Sequence, residues 1–193
     1  MKPIQPTVIV LCAGRSERFK AHGGQGNKLD ALLGEVGVKH HVIRAAQLSG
    51  LDLCIVEPKA VEHILNPGMS DSIASGVSLS KLSNGWLILP ADLPLIQSAT
   101  IELMGRELAK YQELMNSDMV TVAPVFEGQR GHPVGFSSGF LSRLTQLSGD
   151  EGAKEILSEY PPVLIQVQDP GCVLDVDTPE LLEKVRKIWI NRT

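Results

Sequence analysis

Short apolar runs rich in β-branched residues alternate with helix-period segments along almost the whole 193-residue chain. That alternation restricts the fold more than any other feature. Val8–Cys12, Leu51–Val56, Trp86–Leu89, Met119–Ala123, Pro133–Phe136 and Val163–Val167 read as strands. Val38–Leu48, Ile73–Leu82, Ala99–Met115, Phe140–Leu147, Ala153–Glu159 and Pro179–Trp189 read as helices, the second capped by Ser70 or Asp71. Within the third, Ile101, Met104, Leu108, Tyr111 and Met115 form one apolar stripe. Strands alternating with helices predict an α/β fold in three layers, with a mostly parallel sheet in the middle. No linker, repeat or low-complexity tract interrupts the pattern, so residues 1–193 are expected to form a single domain.

Composition excludes several classes. The chain is 43% hydrophobic and 21% charged, which is ordinary globular usage, and it is long enough to bury a core without a metal or disulfide staple. Lys and Arg number 18 against 22 Asp and Glu, a net charge of −4, so the basic surplus of a nucleic-acid or membrane-surface binder is missing. Cys12, Cys54 and Cys172 are far apart and show no Cys-x-x-Cys or Cys/His spacing. They read as small buried hydrophobes in a reducing compartment. The apolar run Val8–Ala13 is too short for a signal sequence, and far short of the ~20 residues of a membrane span. The expectation is a soluble, cytoplasmic protein.

In a parallel sheet, ligands sit beyond the carboxyl ends of the strands, where the strand order switches. Beyond the first strand come Ala13, Gly14, Arg15 and Ser16; beyond the third come Pro90, Ala91, Asp92, Leu93 and Pro94; beyond the last come Asp175, Val176 and Asp177. The stretch Gly14–Lys28 holds four glycines with Arg15, Arg18, Lys20 and Lys28. Glycines let backbone N–H groups approach an anion, and the cations neutralise it. The stretch is neither a Walker A loop nor Gly-x-Gly-x-x-Gly; on its own it is equally a plain surface loop. Asp92 is held between two prolines, and a hard cation such as Mg²⁺ takes one or two carboxylates and fills its other positions with phosphate oxygens and water. Asp92 and Asp177 are the natural pair. Each also has a simple alternative: Asp92 as a turn cap, Asp177 as the N-cap of the helix opened by Pro179.

Other polar residues carry less. His40 and His41 point about 100° apart on a helix and cannot chelate together. The serine-rich run Ser70–Ser83 lacks the strand–Gly-x-Ser-x-Gly–helix setting of a nucleophile elbow. His132 precedes a proline, is therefore extended, and is a candidate to line the cleft.

Taken in order, these segments resemble the molybdenum cofactor nucleotidyltransferase family, the small cytidylyl- and guanylyltransferases with a Rossmann-like fold. The family's L-A-A-G-x-S-x-R opening stands here as Leu11-Cys12-Ala13-Gly14-Arg15-Ser16-Glu17-Arg18, with Lys28 as the following lysine. Gly68-Met69-Ser70-Asp71-Ser72-Ile73, Asp92-Leu93-Pro94, Gly131-His132-Pro133-Val134, Gly149-Asp150-Glu151-Gly152-Ala153 and Asp175 to Glu180 match later motifs. The matches run from Leu11 to Glu180. Two departures stand out: the Arg18–Lys28 loop is long, leaving Lys20 as a rival for the phosphate lysine, and Cys54–Gly68 is short for a parallel crossover.

The resemblance implies transfer of an NMP, CMP from CTP in preference to GMP, to a phosphorylated acceptor of the molybdopterin or molybdenum cofactor class, with release of pyrophosphate. A sugar- or polyol-phosphate nucleotidyltransferase and a non-catalytic nucleotide- or cofactor-binding partner of a molybdoenzyme are the alternatives. Leu11, Ala13, Gly14, Arg15, Ser16, Arg18, Lys28, Ser72 and Asp92 would bind nucleotide. Arg18, Lys28 and Asp92 would be catalytic, Asp92 and Asp177 would hold Mg²⁺, and His132 and Asp150 would face the acceptor. A client molybdoenzyme is an implied partner.

Overall fold

The structure is a computed structural model and describes residues 5–191. Its framework is a sheet of β1 (Thr7–Leu11), β4 (Asp52–Val56), β5 (Gly85–Pro90), β6 (Thr121–Phe126), β7 (Gln129–Arg130), β8 (Val134–Ser137) and β9 (Val163–Gln166). Its order is β4-β1-β5-β8-β6-β7, with β9 also on β6. β1 pairs in parallel with both β4 and β5, and β6 with β9. The mostly parallel α/β expectation therefore holds. Two strands are exceptions: β8 runs antiparallel between β5 and β6, and the two-residue β7 runs antiparallel to β6.

The chain leaves β1, returns as β4 on one side, and then crosses to β5 on the other. This is the switch in strand order that opens a crevice at the strand C-termini. Every residue of β1 is buried. Its alternate side chains feed two cores, as a central strand covered on both faces must. Val8 and Val10 pack with α2 (Val38–Leu48) and α4 (Ser98–Met115) through Val42, Ala46, Ile101, Met104 and Leu108. Ile9 and Leu11 pack on the other face with α3 (Met69–Leu79), α5 (Leu141–Thr145) and α6 (Lys154–Glu159) through Ile73, Val77, Leu144 and Ile156.

Several boundaries differ from the sequence expectation. The α4 stripe is buried only through Leu108; Met115 is 54% exposed, because the helix outruns the sheet. Helix α3 starts at Met69 with Gly68 as its N-cap, so neither Ser70 nor Asp71 caps it. Asp71 instead accepts from the Gly68 amide at 2.8 Å. Between β4 and α3 there is only a 3₁₀ turn, Pro58–Val61, and the crossover from β4 to β5 is made by α3. The segment read as one helix over 140–147 is a 3₁₀ turn, Ser138–Phe140, followed by the short α5.

Inside the glycine-rich stretch lies α1 (Glu17–Ala21), and a small hairpin, β2 (Leu32–Leu33) with β3 (Val36–Gly37), follows it. Phe19 and Leu33 form a third core with Leu95, Val176, Leu182 and Val185, the last two from α7 (Pro179–Ile190). This cluster fastens the glycine loop and the Asp175–Asp177 segment to each other. Thr178, not Asp177, is the α7 N-cap, accepting from the Leu181 amide, a cap contributing about 1 kcal/mol. Asp177 is thereby left to other partners. Among the described residues no helix is long and apolar enough to cross a membrane.

Candidate active site

At the C-termini of β1 and β5 opens a cavity of about 510 Å³. Leu11, Ala13, Gly14, Arg15, Ser16, Arg18, Lys28, Ser72, Asp92, His132, Asp150 and Asp177 all line it. Lys20 does not: it lies exposed on α1.

The loop that delivers Lys28 is built on one strained residue. Ser16 has φ 58, a left-handed conformation costing a non-glycine residue roughly 1–2 kcal/mol. Its hydroxyl donates to Asn27 Oδ1 at 2.7 Å and accepts from the Lys28 amide at 3.0 Å. Asn27 Oδ1 accepts from the Leu29 amide as well, at 3.0 Å. The two ends of the long loop are thus clamped together, and Lys28 is turned inward.

The Lys28 ammonium lies 2.6 Å from Asp92 Oδ2 and 2.5 Å from Asp177 Oδ1, with its side chain only 12% exposed. Burial works against its charge, but Asp92 and Asp177 outweigh burial and hold it above the ordinary lysine value. Asp177 is pushed the other way. Burial raises it, Lys28 and Arg18 more than compensate, and its carboxyl ends below the usual range. Arg18 reaches Asp177 from the solvent side. Arg15 instead spans to the loop before α3, donating to Asn66 Oδ1 and the Pro67 carbonyl.

Asp175 is the residue the sequence reading passed over as a candidate ligand. One oxygen each from Asp92, Asp175 and Asp177 lie within 4.8 Å of one another. Burial, then the neighbouring Asp92 and Asp177, raise its carboxyl above the ordinary value. A signal was available, because residues two apart on extended chain share a face. Three hard oxygen donors suit a divalent cation such as Mg²⁺ or Mn²⁺.

Two walls close the far end of the cavity. Gly68 and Ser72 begin α3, while Asp150 sits in the Gly149–Gly152 turn. A Cβ on Gly68 would come within 2.2 Å of the Gly149 carbonyl, so only glycine allows this approach. Asp71 Oδ2 accepts from the amides of both Gly68, at 2.8 Å, and Gly149, at 3.1 Å. His132 enters from the lead-in to β8, its amide donating to the Cys172 carbonyl at 2.9 Å. Its Nδ1 is buried with no partner among the described residues. Burial holds the imidazole below its ordinary value, against the opposing pull of Asp92 and a hydrogen bond to the Ile88 backbone. His41, by contrast, bonds the Leu33 carbonyl away from the cavity.

Cations and carboxylates meeting across one cavity, at the switch point of an α/β sheet, mark a nucleotidyltransferase. The family is narrower: residues 8–163 match the MobA-like NTP transferase domain, and the chain belongs to that family. None of the curated proteins compared matches the chain. Among solved structures, Rv0371c from Mycobacterium tuberculosis H37Rv is 20% identical with a TM-score of 0.72, over 95% of this chain and 98% of that one. Rv0371c is also solved as a manganese complex, with a TM-score of 0.67. A nucleotidyl transferase from Methanothermobacter thermautotroptrophicus, Mth528, is 15% identical with a TM-score of 0.76, over 98% and 99% of the two chains. A 4-diphosphocytidyl-2C-methyl-D-erythritol synthase is 16% identical with a TM-score of 0.61, over 95% and 98%. At these identities the likeness is one of fold.

Proposed function

We propose that the protein transfers CMP from CTP, in preference to GMP from GTP, to a phosphorylated acceptor of the molybdopterin class and releases pyrophosphate. The observation that carries the reading is Lys28, a buried cation at the end of the glycine loop that is shared by Asp92 and Asp177 inside the cavity. An acceptor phosphate oxygen attacks the α-phosphorus, and the bond from that phosphorus to the bridging β-phosphate oxygen breaks. The nucleophile is already anionic, so the protein's task is positioning and charge neutralisation. The backbone of Gly14–Arg18, with Arg15, Arg18 and Lys28, holds the triphosphate. Arg18 and Lys28 take up charge growing on the α-phosphate and the leaving pyrophosphate. The base lies against Leu11–Gly14 and Ser72, and His132 and Asp150 face the acceptor.

Asp92 and Asp177, joined by Asp175, would hold Mg²⁺, which supplies neutralisation of phosphate oxygens when bound. The manganese complex of the structurally similar Rv0371c supports a divalent ion at this kind of fold. In this reading the reaction belongs to the cytoplasm and a client molybdoenzyme receives the product.

One observation favours a second acceptor class. Phe19 is the only Phe, Tyr or Trp lining the cavity among the described residues, whereas a pterin favours aromatic surroundings. A polyol phosphate needs no such ring. Pyrophosphate release with each NTP and Mg²⁺, with molybdopterin, with a polyol phosphate and with neither, separates these readings. Release with molybdopterin and CTP is the expected result; no release with any pair would leave a binding protein without turnover.

A further inference from the structure

We propose that the Lys28 ammonium is a built-in placeholder for the divalent cation, and that through it metal and triphosphate bind as a pair. The inference deepens the nucleotidyl-transfer reading and rests on it. Two of the three carboxylates that could hold a metal already accept from Lys28 Nζ, through Asp92 Oδ2 at 2.6 Å and Asp177 Oδ1 at 2.5 Å. Arg18 donates to the other oxygen of Asp177. Three neighbouring carboxylates, Asp92, Asp175 and Asp177, thus have two protein cations among them. The charge that a divalent ion would bring is already present, carried on side chains.

The placeholder is held firmly. Lys28 is only 12% exposed, and the Ser16 hydroxyl fixes its backbone amide at 3.0 Å. A free Mg²⁺ or Mn²⁺ approaching the carboxylates would have to expel this ammonium or sit within a few ångströms of it. Either is unfavourable in a partly buried site, where charge repulsion is screened less than in water. Moving Lys28 alone leaves it without an anion. A triphosphate removes the obstacle by offering Lys28 and Arg18 phosphate oxygens in exchange for carboxylates. Metal then gains the freed carboxylates and the phosphates together. By linkage the assistance is reciprocal: whatever factor the triphosphate adds to metal affinity, the metal adds to triphosphate affinity.

Mn²⁺ binding to the nucleotide-free protein, read from the electron paramagnetic resonance signal of the free ion, tests this without turnover. Lys28→Met should bind Mn²⁺ about tenfold more tightly than the parent, or better, within the usual range of coupling factors. Lys28→Arg keeps a cation and should bind as weakly as the parent. The gain in Lys28→Met should disappear when Asp92→Asn is added. General damage to the site would lower affinity, so the expected sign is informative. Unchanged or weaker binding by Lys28→Met, or an equal gain in Lys28→Arg, would overturn the placeholder; Lys28→Gln replaces Lys28→Met if the latter fails to fold. Equilibrium dialysis of the parent with Mn²⁺ and CTP addresses the reading beneath. If the parent takes up Mn²⁺ with CTP but Lys28→Met gains nothing, the placeholder alone fails. If the parent takes up none even with CTP, the metal site itself fails.

Discussion

The Val176 amide donates to the Asp92 carbonyl at 2.8 Å. This one backbone bond ties the segment after β5 to the segment before α7, and Val176 is wholly buried in the third core. The spacing of Asp92, Asp175 and Asp177 is therefore set by main chain, not by the side chains that would meet a ligand. The carboxylates can be changed one at a time without dismantling their frame.

Asp92→Ala should accordingly lose nearly all turnover while the melting temperature stays close to that of the parent. Activity equal to the parent at saturating Mg²⁺ would remove Asp92 from the metal site.

The two lysines of the glycine loop should separate cleanly. Lys28→Ala should cost on the order of 10²–10³ in rate, the scale of one lost transition-state stabiliser. Lys20→Ala should leave the rate near that of the parent, since Lys20 lies exposed outside the cavity. Steady-state pyrophosphate release measures both, and an exchange of the two effects would move the phosphate lysine to Lys20.

Asp169 should behave in the opposite way to Asp92. It is buried and accepts from the amides of Gln97 and Gly171 and from the Thr100 hydroxyl. Asp169→Ala leaves those donors unpaired at about 1–3 kcal/mol each. A large fall in the denaturant midpoint is expected, several times that of Asp92→Ala; equal midpoints would contradict the assignment of Asp169 to the fold.

The imidazole of His132 sets a pH dependence. Its folded value lies below the ordinary 6.5, so the stability that its neutral form contributes is complete above pH 6.5 and is lost as pH falls through the folded value. The parent should lose stability on going from pH 7 to pH 5. His132→Gln should lose less over that interval, as read from urea midpoints; parallel slopes for the two proteins would assign the loss to other groups.

Base choice is tested by competing CTP against GTP at equal concentration for pyrophosphate release with the productive acceptor. A site that reads a base by buried hydrogen bonds rejects the wrong one strongly, because its polar groups would otherwise go unpaired. A clear CTP preference is expected. A GTP preference would assign the protein to guanylyl transfer, and equal use would mean that Leu11–Gly14 and Ser72 do not form the base floor.

The alternating pattern was enough to read the strands, the main helices and the sheet's predominant direction, because buried parallel strands leave continuous β-branched runs. Strand direction at β8 was not legible, since its four residues are buried on both faces like those of the parallel strands and carry no mark of their direction. Glu127 and Gly128, with φ of 47° and 81°, form the two-residue turn that reverses the chain from β6 into β7. Helix α1 escaped notice because five residues with a single buried side chain, Phe19, carry no period. Ala13, Gly14, Arg15, Ser16, Asp92 and Asp177 were legible from their place past strand ends, whereas Ser72, in α3, and Asp150, in the turn before α6, came only with the family resemblance. Asp175 was missed because its carboxylate gains meaning only from the extended backbone it shares with Asp177.

The single Asp71 oxygen that accepts from both Gly68 and Gly149 has a consequence for engineering. The Gly149–Gly152 turn is not an exchangeable cassette: transplanted from a relative without its matching α3 start, it would arrive with one amide unanswered and a glycine-only gap misfitted. Chimeras that move residues 68–72 and 149–152 together should remain folded where single-segment swaps do not. The wall that these two segments give the cavity is thus a two-segment inheritance.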